Sequence, residues 1–245
     1  MTRMFPSMPA ATDAEPADGV PVSQKIRERL RAAKQRFHAN DNIAAFIEPG
    51  ELDALTDEVA EQVTAVLQSL VIDTVNDHNT RETGARVARM YLGELFAGRY
   101  AQSPDLTAFP NVNSYDELYL VGPITIRSTC AHHLQNIRGN CWIGIYPGKN
   151  VLGLSKFYRL VEWIAARPQI QEEMTIQIAD LLEAETAADG IAVVIKAEHM
   201  CVTHRGVREH ASDMTTSVLR GILRDQPDTR AEFFRLLHGM KEFNS

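Results

Sequence analysis

The sequence predicts an α+β fold in which antiparallel strand pairs pack against helices. Three observations point there: apolar residues recur at three- and four-residue steps between positions 52 and 97, the texture then changes to β-branched and aromatic runs, and those runs come in two pairs separated by two helical segments. The order of helices, two strands, two helices, two strands and a helix differs from the strand-by-strand alternation of a doubly wound parallel sheet.

Residues 1–22, rich in Ala, Pro and Asp without periodicity, read as a disordered tail. From Ser23 the stretch QKIRERLRAAKQRFHA is helix-forming and basic with few apolar anchors, so its charges read as a solvated face. After Pro49-Gly50, Leu52, Leu55, Val59, Val63, Val66, Leu67, Leu70 and Val71 define a long amphipathic helix. A second helix over roughly 81–97 carries Val87, Met90, Tyr91 and Leu95 on one side, with Gly98 placed to stop it. Residues 23–98 are therefore read as an N-terminal helical region and 99–245 as the domain that follows.

In that domain LYLVGPITIRST and CWIGIYP read as strands, with Gly139-Asn140 supplying the turn between them. Ser155 is placed to cap a helix running to about Arg167 with Leu160, Val161 and Ile164 inward, and Arg167-Pro168 breaks it before a helix over about 169–186. After Asp189-Gly190, IAVVIKAEHMCV and MTTSVLRGIL read as two more strands, and a last helix runs from Pro227 to Gly239.

A chain of 245 residues, 44% hydrophobic and 23% charged, can bury a sizeable core, which excludes wholesale disorder and fibrous classes. Twenty-five Lys and Arg against 32 Asp and Glu give a net charge of −7, which argues against general nucleic-acid or membrane-surface binding. No apolar run approaches the roughly 18–20 residues of a membrane span, and the N-terminus lacks a secretory pattern, so a cytoplasmic protein is expected.

Three widely spaced cysteines, Cys130, Cys141 and Cys201, make a poor disulfide framework and leave free thiols or metal ligands. Cys130 and His133, three apart where a strand turns, can reach one soft divalent metal, and Cys201 near the end of another strand can supply a third ligand. Two thiolates and one imidazole favour zinc, and three ligands leave a position open for catalysis. The alternative is that the cysteines are small buried hydrophobes and the histidines core or surface groups. Cys141 alternates with aromatic and aliphatic residues and reads as a core or interface thiol. Lys156 and Arg159, at the start of the Ser155 helix, and Arg205 beyond Cys201 form either an anion site or ordinary surface charge.

The segments STCAHH, GLSKFYRLVEWIAARPQIQEE, EHMCVTHRG and TTSVLRG, with the upstream helix ETGARVARMYLGELFAG, stand in the order and at about the spacing of GTP cyclohydrolase I. The chain resembles that family over roughly residues 50–240. The resemblance implies the tunnelling fold (T-fold), a four-stranded antiparallel sheet packed on helices, with an N-terminal helical extension. It also implies a homodecamer of two face-to-face pentamers with active sites at subunit interfaces. Carried over residue by residue, it makes Cys130, His133 and Cys201 the zinc ligands and His132 and His199 the acid–base histidines. Gln171 and Glu172 become the guanine-reading pair, and Ser155 lies near the ribose. Lys156, Arg159, Arg205, Arg86 and Arg89 become the triphosphate cations.

The implied reaction is hydrolytic opening of the GTP imidazole ring, release of formate, rearrangement of the ribose and closure to 7,8-dihydroneopterin triphosphate. The rival readings are a diverged paralogue that acts on a related purine nucleotide or stops at a ring-opened formamide, and a non-catalytic nucleotide-binding oligomer. Two positions depart from the family pattern: Ala131 stands where the metal motif has Glu, and Gly84 where the upstream helix has Pro.

Overall fold

A computed structural model describes residues 19–240, so most of the tail expected over 1–22 lies outside the described residues. The basic segment forms helix α1 (Val22–Ala32), shorter than its composition allows and less solvated than expected, because Ile26 and Leu30 are buried. Lys34, at φ 52°, turns the chain away just beyond its end. Helix α2 (Glu51–Ser69) follows Gly50, and Ile26, Leu30, Ile43, Leu55 and Leu92 form a small N-terminal core around it.

Of the α2 residues only Leu55 is buried, and Val66, Leu70, Val71 and Val75 are exposed around the helix end. The apolar stripe is therefore covered at Leu52, Leu55 and Val59, which pack in the N-terminal core, and left uncovered at its C-terminal end. The α2 end closes with Val71 N–H on the Gln68 carbonyl and Ile72 N–H on the Leu67 carbonyl. That arrangement puts β-branched Val71 at φ 62°, where glycine is usual.

The predicted second helix is broken in three: α3 (Thr83–Met90), a π turn over Tyr91–Leu95, and α4 (Ala97–Tyr100). Gly98 lies inside α4 rather than at a helix stop; a Cβ there would sit 1.8 Å from the Trp163 carbonyl oxygen. Gly84 is required in the same way, because a Cβ would fall 2.1 Å from Thr64 Oγ1 and 2.6 Å from the Ala60 carbonyl oxygen. Helix α3 is pressed onto α2 at this point, which accounts for glycine there.

The rest of the chain runs β1 (Ala108–Pro110), β2 (Tyr119–Cys130), β3 (Asn136–Tyr146), β4 (Asn150–Leu152), α5 (Leu154–Ala165), β5 (Pro168–Gln169) and α6 (Gln171–Thr186). It continues with β6 (Gly190–His199), α7 (Met200–Thr203), β7 (Met214–Gly221), α8 (Ile222–Asp225) and α9 (Pro227–His238). The main sheet has the order β5-β2-β3-β6-β7, in which the four long strands are antiparallel and the two-residue β5 adds in parallel to the end of β2. This is the α+β architecture that the sequence predicts.

Two local expectations are corrected. Gly139-Asn140 is mid-strand in β3, where a Cβ on Gly139 would lie 2.1 Å from the Lys196 carbonyl oxygen; the β2–β3 turn falls at 131–135, with Leu134 at φ 51°. Ser155 does not cap α5, whose N-cap is Gly153 and which has no side-chain cap.

Side chains alternate across the sheet and feed two cores. On one face Ile126, Ile143, Val193 and Ile195 pack with Phe157, Leu160 and Ile164 of α5 and Met174 and Ile178 of α6. On the other, Trp142, Ala192 and Val194 pack with Leu223, Phe233 and Leu237 of α8 and α9. Cys141 belongs to the first core, where burial pushes its thiol pKa far up and leaves it a packing residue. No helix among the described residues is long and apolar enough to cross a membrane.

Candidate active site

One end of the sheet collects the predicted chemistry. Cys130 is the last residue of β2 and pairs in register with Gln169, two residues before α6 begins. His199 is the last residue of β6, opposite Ile137 of β3, and α7 then carries Cys201. Strand pairing thus joins segments that are distant in sequence.

One potential ligand atom from each of Cys130, His133 and Cys201 lies within 4.8 Å of the other two. Ligands of one zinc ion, at about 2.3 Å for sulfur and 2.0–2.1 Å for nitrogen, stand about 3.5–3.8 Å apart, so a contraction of about 1 Å closes the set. Cys130 is buried, Cys201 half-buried and His133 exposed, which suits a metal accessible from one side. Burial, then the neighbouring Cys130 thiol, raises the Cys201 pKa above the ordinary thiol value. A bound divalent cation reverses that preference by stabilising thiolate. The donor set fits a soft divalent metal.

His132, next to His133, places Nδ1 3.8 Å from Cys130 Sγ. His199 has Nε2 2.8 Å from Gln171 Oε1. Burial lowers the His199 pKa, and the carboxylate of Glu172 partly offsets this. Gln171 is fully buried, and its Nε2 donates to the Ile195 carbonyl at 3.0 Å, the Met214 carbonyl at 2.9 Å and Thr216 Oγ1 at 3.0 Å. Thr216 and Thr175 hydroxyls are 2.7 Å apart, and Thr175 Oγ1 donates to the Gln171 backbone carbonyl at 2.7 Å. The amide nitrogen is fully committed, so Oε1 must face His199 and accept its Nε2–H. Neutral His199 then presents a lone pair at Nδ1.

The hydrogen-bonding groups of Gln171, expected to read guanine, are thus engaged within the chain by Ile195, Met214, Thr216 and His199. Glu172, the next residue, is exposed at the first turn of α6. Thr175 and Thr216 are the residues that sequence reasoning passed over. Thr216 lies in TTSVLRG, and a hydroxyl alternating into the sheet interior was the available signal.

The predicted cations are spread out. Lys156 donates to the Asp105 carbonyl at 2.5 Å and lies 3.5 Å from its carboxylate. Ser155 and Arg159 are exposed on the first turns of α5, and Arg205 is exposed beyond α7. Arg205 is near enough to Cys201 to favour its thiolate. Arg86 pairs at 2.9 Å with Glu82, the residue just before α3, and Arg89 is exposed. A single chain therefore brings together the candidate metal ligands Cys130, His133 and Cys201 with His132, His199, Gln171 and Glu172, and leaves Arg86 and Arg89 on the helical region.

A T-fold-like sheet with a Cys-His-Cys cluster at one end that fits a metal ion defines the class as an enzyme domain with a candidate metal site. The family model described as GTP cyclohydrolase I matches residues 59–238, and the chain belongs to this family. It is 40% identical to the GTP cyclohydrolase 1 of Photobacterium profundum over 186 residues, covering 76% of this chain and 84% of that protein. The enzymes so named from Aliivibrio salmonicida and Salmonella choleraesuis are 39% and 40% identical over 178 residues each. Those matches cover 72% of this chain and 82% and 80% of the two relatives.

Proposed function

We propose that this chain is a zinc-dependent GTP cyclohydrolase I, converting GTP to 7,8-dihydroneopterin triphosphate with release of formate. The observation that carries the reading is the approach of Cys130, His133 and Cys201 within 4.8 Å, beside an anchored His199, in a chain of this family. Zinc, when bound, supplies Lewis-acid activation of water.

The protein's own residues do the rest. His132 and His199 hold and move the protons that ring opening requires at N7 and at the departing formyl group, a task suited to imidazole near neutral pH. Glu172 accepts from the guanine N1–H and exocyclic amine together. Ser155 contacts the ribose, and Lys156, Arg159, Arg205, Arg86 and Arg89 neutralise the triphosphate.

The last two arginines imply an assembled site, and we assign the protein as a homo-oligomer, a decamer of two face-to-face pentamers. Support comes from the uncovered apolar residues Val66, Leu70, Val71 and Val75, which a partner copy would bury. Residues 99–245 are assigned as the catalytic T-fold domain and 23–98 as the helical extension that supplies Arg86 and Arg89, in a cytoplasmic enzyme.

The test is incubation of zinc-loaded protein with GTP, followed by pterin fluorescence and a formate assay. Equal amounts of formate and pterin are expected. Ring opening without formate would identify an enzyme that stops at the formamide, and binding without turnover would identify a nucleotide-binding oligomer.

A further inference from the structure

Beside the metal-ligand set lies a second group of side chains that the proposed chemistry does not use. Alternation along β6 sends His199 toward α6 and Glu198 to the opposite face of the sheet. There Glu198 divides its carboxylate: Oε1 accepts from Thr203 Oγ1 at 2.7 Å, and Oε2 accepts from Arg138 Nε at 2.6 Å. Arg138 stands directly opposite Glu198 in the β3–β6 register. Thr203 is the last residue of α7 and is 4% exposed.

The four residues of α7 have no side-chain cap at their N-terminus, and a single turn has almost no stability of its own. The Glu198–Thr203 bond closes residues 198–203 into a ring that pins the far end of the turn to the sheet, with Cys201 inside the ring. The Arg138 side chain is 65% exposed, so its ion pair contributes little by itself and mainly aims the carboxylate. The buried hydroxyl makes the stronger constraint. Its bond, followed by that from Arg138, also holds the Glu198 carboxyl below the usual carboxylate range, which keeps it an acceptor near neutral pH.

We propose that Glu198 and Thr203 are positioning residues for the metal centre: the carboxylate clamps α7 and presets Cys201 Sγ against Cys130 and His133 before the ion arrives. The proposal rests on the metal-centre reading of those three ligands. A preset ligand loses less conformational freedom on binding, so the clamp should appear in metal affinity.

The test is zinc affinity of the full-length apo-protein by competition with a chromophoric chelator, together with the thiolate-to-cobalt absorption of the cobalt-loaded protein. Thr203→Val and Glu198→Ala should each weaken zinc binding about 10-fold and alter the cobalt band. Thr203→Ser should restore both. Glu198→Gln, which keeps an oxygen for Thr203, should stay within about 3-fold of the original protein, and the Thr203→Val/Glu198→Ala double variant should be no weaker than Glu198→Ala alone. A control, Leu237→Ala on the buried face of α9, should lower the apo-protein's Tm without changing zinc affinity. Unchanged affinity in both Thr203→Val and Glu198→Ala, or a loss that tracks apo-protein Tm across all variants including the control, overturns the clamp. Failure of the underlying reading has a separate signature, full zinc affinity in Cys201→Ser, which overturns both.

Discussion

Replacing Gln171 by leucine separates a residue that reads the base from one that orients the catalytic histidine. The side chain is fully buried, so leucine fills much the same space and the change is one of hydrogen bonding. It removes the donations to the Ile195 carbonyl, the Met214 carbonyl and Thr216 Oγ1, and the acceptor facing His199 Nε2. Each buried group left without a partner costs about 1–3 kcal/mol, but Thr216 keeps Thr175 and strand carbonyls have a second lone pair, so the low end applies and the total is about 3–5 kcal/mol. At roughly 2–4 °C per kcal/mol for a chain of this size, Tm should fall by roughly 6–20 °C, leaving the variant folded at 25 °C.

His199 would then lose the bond that fixes its tautomer, and kcat should fall about 100-fold or more. The deciding assay is steady-state kinetics with GTP and ITP side by side. Both substrates should lose kcat by the same factor, so their ratio of kcat/KM should not move. A selective loss for GTP with a raised KM would show that Gln171 reads the base, and a kcat within 3-fold of the original protein would refute the orienting role.

Base selection should reside in Glu172 instead: Glu172→Gln should erase much of a preference for GTP over ITP worth about 2–4 kcal/mol, or about 30- to 1,000-fold, measured as a ratio of kcat/KM. Glu51 sits between Arg29 and the Glu48 backbone N–H. Burial raises its pKa, but those partners outweigh it and the net shift is below the unfolded value of 4.5. Its contribution is therefore present above pH 4.5 and lost as pH falls through the lower folded value. The stability gap between the original protein and Glu51→Gln in urea melts should stay level from pH 6 to 8 and shrink below pH 4.5. Leu70→Glu adds a charge to the exposed apolar stripe and should reduce the assembled mass seen by light scattering, raising the concentration needed for assembly by about 100-fold. An unchanged mass would remove α2 from the interface.

The legible parts of this fold are those decided by local pattern. Helical periodicity marked α2, and β-branched runs marked β2, β3, β6 and β7, because side-chain spacing alone determines those elements. Glycine misled the reading where its role is close approach rather than turning: Gly139 admits the Lys196 carbonyl and Gly98 the Trp163 carbonyl, contacts made by residues far along the chain. The turn at 131–135 carries no glycine, and Leu134 adopts the left-handed conformation there, so composition did not announce it. The clustering of Cys130, His133 and Cys201 was legible because two of them stand three positions apart and all three are donors suited to one divalent metal. The hydrogen-bond network of Gln171 was not, since its partners Ile195, Met214 and Thr216 stand 24, 43 and 45 positions away and are joined only by strand pairing. The same holds for the Arg138–Glu198 contact, which exists only in the β3–β6 register.

Opening of the GTP ring should depend on a metal held by Cys130, His133 and Cys201. This dependence is tested most directly by adding zinc stepwise to apo-protein in the presence of GTP and recording the rate of formate release. The rate should rise in proportion to zinc and break sharply at one ion per chain, while Cys201→Ser should stay at the baseline throughout. Formate release from metal-free protein, or none at full zinc occupancy, would show that the three residues do not hold the metal on which ring opening depends.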